Sequence, residues 1–253
     1  MAVIPKLFFP ARKLLTDGVP LIDAHIHTEL TDGNGCCEDY ILRAKELGLS
    51  AIAFTEHADN TSNWFHRFAE SKPRLQAFAG PLQVYLAAEV KCAHPNGALN
   101  LSEDRTARLD FIIGVLHRYP DGKGGYLKFS ELRPAEALDL DYQLSLALLA
   151  NPLVDVFGHP GGVFSTFFGA YDTERMRELI TVAANNGRVV ELNSAPRYGH
   201  VLPLIMEKCL ELDCLVSIGS DAHHLEQLGH VVAHLRGMLA RRRSVREASR
   251  KGI

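Results

Sequence analysis

Seven short apolar runs recur along the chain, each separated from the next by enough residues for a helix, and this alternation restricts the fold more than any other feature. The runs at 21–24, 51–55, 83–88, 110–116, 154–158, 189–192 and 215–219 have the length and composition of buried strands. Strands joined by helical crossovers run parallel, and a parallel sheet needs cover on both faces, so an α/β fold is expected. Helix stop signals agree. The segment 38–47 ends at Gly48 and 173–186 ends at Gly187, both suited to the left-handed position after a helix. A leucine-rich stretch at 135–150 reads as a buried helix, and Val201, Leu204, Ile205, Cys209 and Leu212 fall on one helical face. A length of 253 residues supports a single domain over 1–253, with a lead-in at 1–19 and a basic tail at about 240–253.

The ionisable residues follow the same rhythm. His25 and His27 close the first run, His57 the second, Glu89 the third, His117 the fourth, His159 the fifth, and Asp221 with His223 the seventh. In a closed parallel sheet those ends share one face, so residues far apart in the chain meet in one site. Packed carboxylates repel and take up protons unless cations intervene, which points to bound metal. His25 and His27 alternate along a strand and so project to the same side. Mixed nitrogen and oxygen donors suit zinc, manganese or iron better than calcium or magnesium.

These residues lie in the segments DAHIHTELTDG, AFTEH, AAEV, GVLH, VFGHP, ELNS and IGSDAH, in that order. Together the segments resemble the PHP (polymerase and histidinol phosphatase) superfamily over roughly residues 21–230. The resemblance implies a distorted (β/α)7 TIM-like barrel with a trinuclear metal site at the C-terminal ends of the strands. It implies that His25, His27, Glu89 and Asp221 hold a first ion and its attacking water. Glu89 then bridges to a second ion completed by His117 and His159, and Asp32 of the TDG turn holds a third with His57 and His223. The implied cofactors are two or three divalent transition-metal ions. Where the family reads T-D-H this chain reads Thr55-Glu56-His57, and because neighbours alternate, Glu56 is expected beside the ligands and not among them. Arg197, in ELNSAPRYGH, stands where the family's phosphatases carry a substrate-binding arginine, and Arg118 beside His117 is a second candidate.

The expected activity is hydrolysis of a small phosphomonoester, such as histidinol phosphate or a nucleotide, by metal-activated water. A phosphodiesterase or exonuclease is the first alternative; an amidohydrolase-type C–N hydrolase and a non-catalytic metal scaffold follow. A formal net charge of -3 gives no broad field for nucleic acid, and the basic run from Arg236 to Lys251 reads as a solvated helix end. Segments 59–82, with the sole tryptophan Trp64, and 118–130, rich in glycine, follow site residues and are expected to contact substrate. His66, His94, His200, His224, His230 and His234 read as satisfied or solvent-facing imidazoles. An odd count of five cysteines without C-x-x-C spacing, and no apolar run of spanning length, lead to the expectation of a soluble protein in a reducing cytoplasm. Nothing in the sequence sets the oligomeric state.

Overall fold

The structure is a computed structural model that describes residues 6–251, with side chains described through Ser244. A two-residue strand β1 (Phe9–Pro10) and the short helix α1 (Lys13–Thr16) lead in. Alternation then begins with β2 (Ile22–Ile26), α2 (Cys37–Glu46), β3 (Ala51–His57), α3 (Phe65–Glu70), α4 (Lys72–Ala79) and β4 (Gln83–Lys91). It continues through α5 (Glu103–Thr106), β5 (Ile112–Val115), α6 (Pro134–Ala150), β6 (Val156–Phe157), α7 (Gly162–Phe167) and α8 (Thr173–Asn185). The last elements are β7 (Val189–Asn193), α9 (Leu202–Leu212), β8 (Leu215–Gly219) and α10 (His230–Lys251).

Strands β2 to β8 are parallel and pair in chain order, the arrangement of a distorted (β/α)7 TIM-like barrel. One edge of β8 is taken by β7; the other is shared. Near its start β8 pairs with antiparallel β1, and beyond its end the first parallel strand arrives. There the His27 N–H donates to the Ala222 carbonyl at 2.9 Å and the Ala222 N–H to the His25 carbonyl at 3.2 Å. These bonds join the first and last parallel strands at the face that carries the histidines. Strand β2 slips by one residue against β3 between Asp23 and Ile26. Thr55 Oγ1 fills the gap, accepting from the Ile26 N–H and donating to the Ile26 carbonyl, both at 3.1 Å.

The glycines expected to end α2 and α8 do so, Gly48 at φ +67° and Gly187 at φ +66°. Other expectations are corrected. β1 and α1 were not anticipated in the lead-in, because two extended residues carry no periodicity. Residues 59–82 are mostly helical: Phe65 and Phe68 on α3 and Leu75 and Ala79 on α4 are buried at helical spacing, but the break at Ser71 changes the phase between them. On α9 the buried face is turned. Leu202, Ile205, Met206, Cys209 and Leu210 pack inward, whereas Leu204 is half-buried and Leu212 is exposed. Residues 1–5 of the lead-in and 252–253 of the basic tail lie outside the described residues, as do the side chains of Arg246, Arg250 and Lys251. Among the described residues no helix is long and apolar enough to cross a membrane.

Candidate metal centre

The barrel mouth gathers all nine candidate ligands. His25 and His27 are fully buried and their Nε2 atoms lie 3.0 Å apart. Glu89, near the end of β4, is the centre of the group. Its Oε1 lies 2.8 Å from His159 Nε2, 3.2 Å from His117 Nε2 and 3.7 Å from His25 Nε2. Its Oε2 lies 2.8 Å from His57 Nδ1 and 3.5 Å from His27 Nε2. Asp221 Oδ1 stands 3.5 Å from His27 Nε2 and 3.7 Å from His25 Nε2. Asp32 Oδ2 stands 3.1 Å from His57 Nε2 and 3.4 Å from His223 Nε2.

Three sets of donor atoms converge closely enough for a shared ion: His25, His27 and Asp221; His57, Glu89 and His117; and His27, Asp32, His57 and His223. The grouping differs from the one the family resemblance implies. His57 reaches toward both Asp32 and Glu89, and His159 touches Glu89 without joining a set.

Local folding explains the placement. The turn after β2 returns so tightly that a Cβ on Gly33 would meet the His27 carbonyl oxygen at 2.2 Å, so only glycine lets Asp32 face the cluster. Glu56, buried behind this turn, accepts from the Thr28 N–H at 3.0 Å, the Thr28 hydroxyl at 2.6 Å and the Thr31 hydroxyl at 2.5 Å. It holds the loop that carries Asp32 and touches none of the convergent sets, as its alternation with His57 predicts. His159 at φ +25° and Asp221 at φ +55° adopt backbone conformations that side chains disfavour. Such positions cost on the order of 1–3 kcal/mol each and cluster at working sites.

Sequence reasoning missed the groups that hold the ligands. Glu191, buried on β7, accepts at Oε1 from His25 Nδ1 at 2.5 Å and at Oε2 from the His159 N–H at 2.7 Å. Asp23, also buried, accepts from the Ser220 N–H at 2.9 Å, the Ser220 hydroxyl at 2.5 Å and the Gly229 N–H at 2.8 Å, anchoring the segment that carries Asp221. Tyr198 stacks on His159 with ring centres 4.6 Å apart. An available signal was an acid in the middle of an apolar run, which a strand buried on both faces tolerates only when it is paired.

The PHP domain model matches residues 23–195, more than half of the chain. The chain is a PHP-domain protein. A protein named a probable phosphatase from Caldicellulosiruptor bescii is 22% identical over 222 residues, covering 82% of each chain. Another of that name from Caldanaerobacter subterraneus subsp. tengcongensis is 26% identical over 214 residues, covering 80% of this chain and 76% of the other. Among solved structures, histidinol phosphate phosphatase from Lactococcus lactis, complexed with zinc, L-histidinol and phosphate, superposes with a TM-score of 0.65 at 16% identity. The match covers 87% of this chain and 92% of that one and supports the fold.

The PHP-domain cluster suits divalent cations on its own chemistry. His27 Nδ1 is buried and has no hydrogen-bond partner, while its Nε2 faces another imidazole nitrogen at 3.0 Å. An unpaired buried polar atom costs about 1–3 kcal/mol, and a cation among these nitrogens and the Asp221 and Asp32 carboxylates offsets that cost. Burial, more than any neighbour, lowers the His27 pKa to about 4, which keeps the ring neutral and a lone pair available. At His25 burial acts the same way, but the carboxylates of Glu191, Asp221 and Glu89 outweigh it and push the pKa well up. His57 rises to about 10, burial being overcome by Asp32 and Glu89. Glu89 is opposed by burial yet held well below the usual range by His117 and His25. His25 and His57 therefore neutralise the acids here, a role that bound cations would take over.

Beside the cluster opens a cavity of about 420 Å³. Arg197 and Arg118 both line it, with Phe129, Phe167, Val163 and Tyr198. Arg197 Nη2 lies 3.6 Å from Asp221 Oδ2, with about half of its side chain exposed, and its guanidinium sits over the Tyr198 ring at 5.2 Å. Of the two loops expected over the site, 118–130 supplies Arg118 and Phe129, whereas 59–82 contributes only Asp59, in a smaller adjoining cavity with Lys91. His200 and His224 are exposed and belong to none of the three sets.

Proposed function

We propose that this PHP-domain protein is a metal-dependent phosphatase that hydrolyses a small phosphomonoester. The convergence of nine histidine and carboxylate side chains, Glu89 among them, beside a cavity that is also lined by two arginines is the observation that carries this reading. Family membership and the relatives named probable phosphatases agree with it.

The residues that would hold two or three ions are His25, His27, Asp32, His57, Glu89, His117, His159, Asp221 and His223, and the mixed donors suit zinc, manganese or iron. Divalent ions held there supply activation of a water and neutralisation of the ester oxygens. Glu89, with one oxygen toward His117 and His159 and the other toward His57 and His27, would be a ligand common to more than one ion. Arg197 stands at the edge of the cluster, where its planar fork can take two oxygens of the same phosphoryl group. The barrel mouth buries His25, His27, His159 and Glu89, so charge developing on the ester meets fixed donors in place of mobile water.

Protein loaded with zinc, manganese or iron is expected to release phosphate from small monoesters, to lose activity to a chelator and to regain it on metal addition. A panel that yields no phosphate from any monoester, while strand ends of nucleic acid are degraded, would instead establish the exonuclease alternative.

A further inference from the structure

We infer that the alcohol portion of the substrate is aromatic and carries a second acidic group, recognised by Arg118 together with Phe129 and Phe167. This inference rests on the phosphatase reading and extends it to the part of the substrate that leaves.

The charges lining the cavity carry the argument. Its acids are Asp32, Glu89 and Asp221, and each of them belongs to the cluster at the floor. The charged side chains that remain are Arg118 and Arg197. Arg197 lies against Asp221 at the cluster, where the phosphoryl group is bound. Arg118 follows His117 at the end of β5, is exposed, and comes from the same loop as Phe129. With Arg197 serving the phosphoryl group at the cluster, Arg118 is left as a guanidinium fork suited to a second anionic group. An alcohol bearing an amine, histidinol phosphate among them, would bring its positive charge beside two guanidinium groups with no uncommitted carboxylate to receive it. Asp59 lies in the adjoining cavity, where its Oδ1 accepts from the Thr61 N–H at 2.7 Å and the Thr61 hydroxyl at 2.6 Å and the ammonium of Lys91 offsets its charge.

Shape decides the rest. Phe129, from the segment after β5, and Phe167, at the end of α7, lie with ring centres 4.7 Å apart along the cavity wall. Phe167 is 60% exposed, the most exposed large apolar side chain among the described residues. An aromatic side chain left open inside a cavity, paired with a second one, is a face for a flat apolar ring. In the reaction a water oxygen forms the new bond to phosphorus, the phosphorus–oxygen bond to the alcohol breaks, and the alcohol oxygen takes the proton. The products are the acidic aromatic alcohol and inorganic phosphate.

The test uses three 2-arylethyl phosphates whose ester oxygens are insulated from the ring substituent: 4-carboxy, 4-aminomethyl and unsubstituted. Metal-loaded protein is expected to favour the carboxylate over the amine by about tenfold or more in kcat/KM, with the neutral ester between them. Arg118→Gln should bring that ratio close to one and Arg118→Lys should restore part of it; Phe167→Ala should weaken all three alike. Calorimetric binding of the matching non-hydrolysable phosphonates reads the same ranking without turnover and covers variants that bind but turn over slowly. Hydrolysis of all three esters at equal efficiency, or a preference for the amine, overturns the inference and leaves the phosphatase reading standing. Absence of phosphate release from every ester, p-nitrophenyl phosphate included, overturns both.

Discussion

Replacing Glu191 by Gln changes one oxygen to an amide and leaves shape and volume nearly unaltered, so its consequences follow from hydrogen bonding alone. The native carboxylate accepts three bonds, from His25 Nδ1 at 2.5 Å, from the His159 N–H at 2.7 Å and, more weakly, from Asn193 Nδ2 at 3.3 Å. A glutamine has a single acceptor oxygen. If that oxygen serves His25, the amide N–H₂ faces the His159 N–H, and a buried donor is left unpaired at about 1–3 kcal/mol. If it serves His159, the amide faces His25 Nδ1, which can accept only by moving its proton to Nε2. That atom lies 3.7 Å from both Glu89 Oε1 and Asp221 Oδ1, so the lone pair aimed at the cluster would be lost. In either case the two side chains are held less well, and loss of a carboxylate behind a metal-bound imidazole typically lowers affinity about 10- to 100-fold.

Two measurements separate these routes. Metal content after graded chelator dialysis, read by mass spectrometry, should fall at lower chelator concentration in Glu191→Gln than in the native protein. Denaturation of the metal-stripped forms should show whether the fold itself has lost stability. Native metal retention together with native stability would refute the reasoning, since it would mean that neither buried N–H needs the carboxylate.

Glu89→Gln should remove the shared acceptor at the centre of the cluster, lowering metal stoichiometry by at least one ion and abolishing phosphate release while the circular dichroism spectrum is retained. Gly33→Ala places a methyl group against the His27 carbonyl and should displace the Asp32 turn, seen as loss of the most weakly held ion and a lower melting temperature. Asp141, buried between the Tyr119 and Tyr171 hydroxyls at 3.0 Å each, has its pKa raised to about 6, chiefly by burial. Between about pH 4 and 6 the folded state keeps a proton that the unfolded chain sheds, so stability falls as pH rises through this window, by at most about 3 kcal/mol. Asp141→Asn has no such proton to lose, so its stability relative to the native protein should improve from pH 4 to 7 in denaturant titrations; parallel curves would sink the assignment.

The barrel and the convergence of the nine candidate ligands were readable because both depend on position along a strand. A run ending in His25-x-His27, Glu89 or Asp221 announces its depth in the sheet, and parallel topology turns equal depth into a common face. Glu191 and Asp23 follow the same geometry, yet their partners lie 166 and 197 residues away in sequence, and one buried acid does not reveal which imidazole or amide will meet it. Glu56 shows the boundary between the two cases. Strand alternation places it away from the convergent donor sets, but its three hydrogen bonds depend on how the loop from Thr28 to Gly33 folds back, which no periodicity describes. The bulge in β2 is illegible for a similar reason: it is paired through the Thr55 hydroxyl on the neighbouring strand, so its cause lies outside the segment that bends. What the pattern conveys is therefore depth and facing, while ligand tautomer, strain at His159 and Asp221, and the lining of the cavity arise from long-range pairing. For that reason the supporting carboxylate Glu191 and the cavity-lining residues Arg118, Phe129 and Phe167 are the informative positions to substitute: variants there test the packing of the folded barrel, whereas variants at the nine candidate ligands test a pattern already visible in the chain.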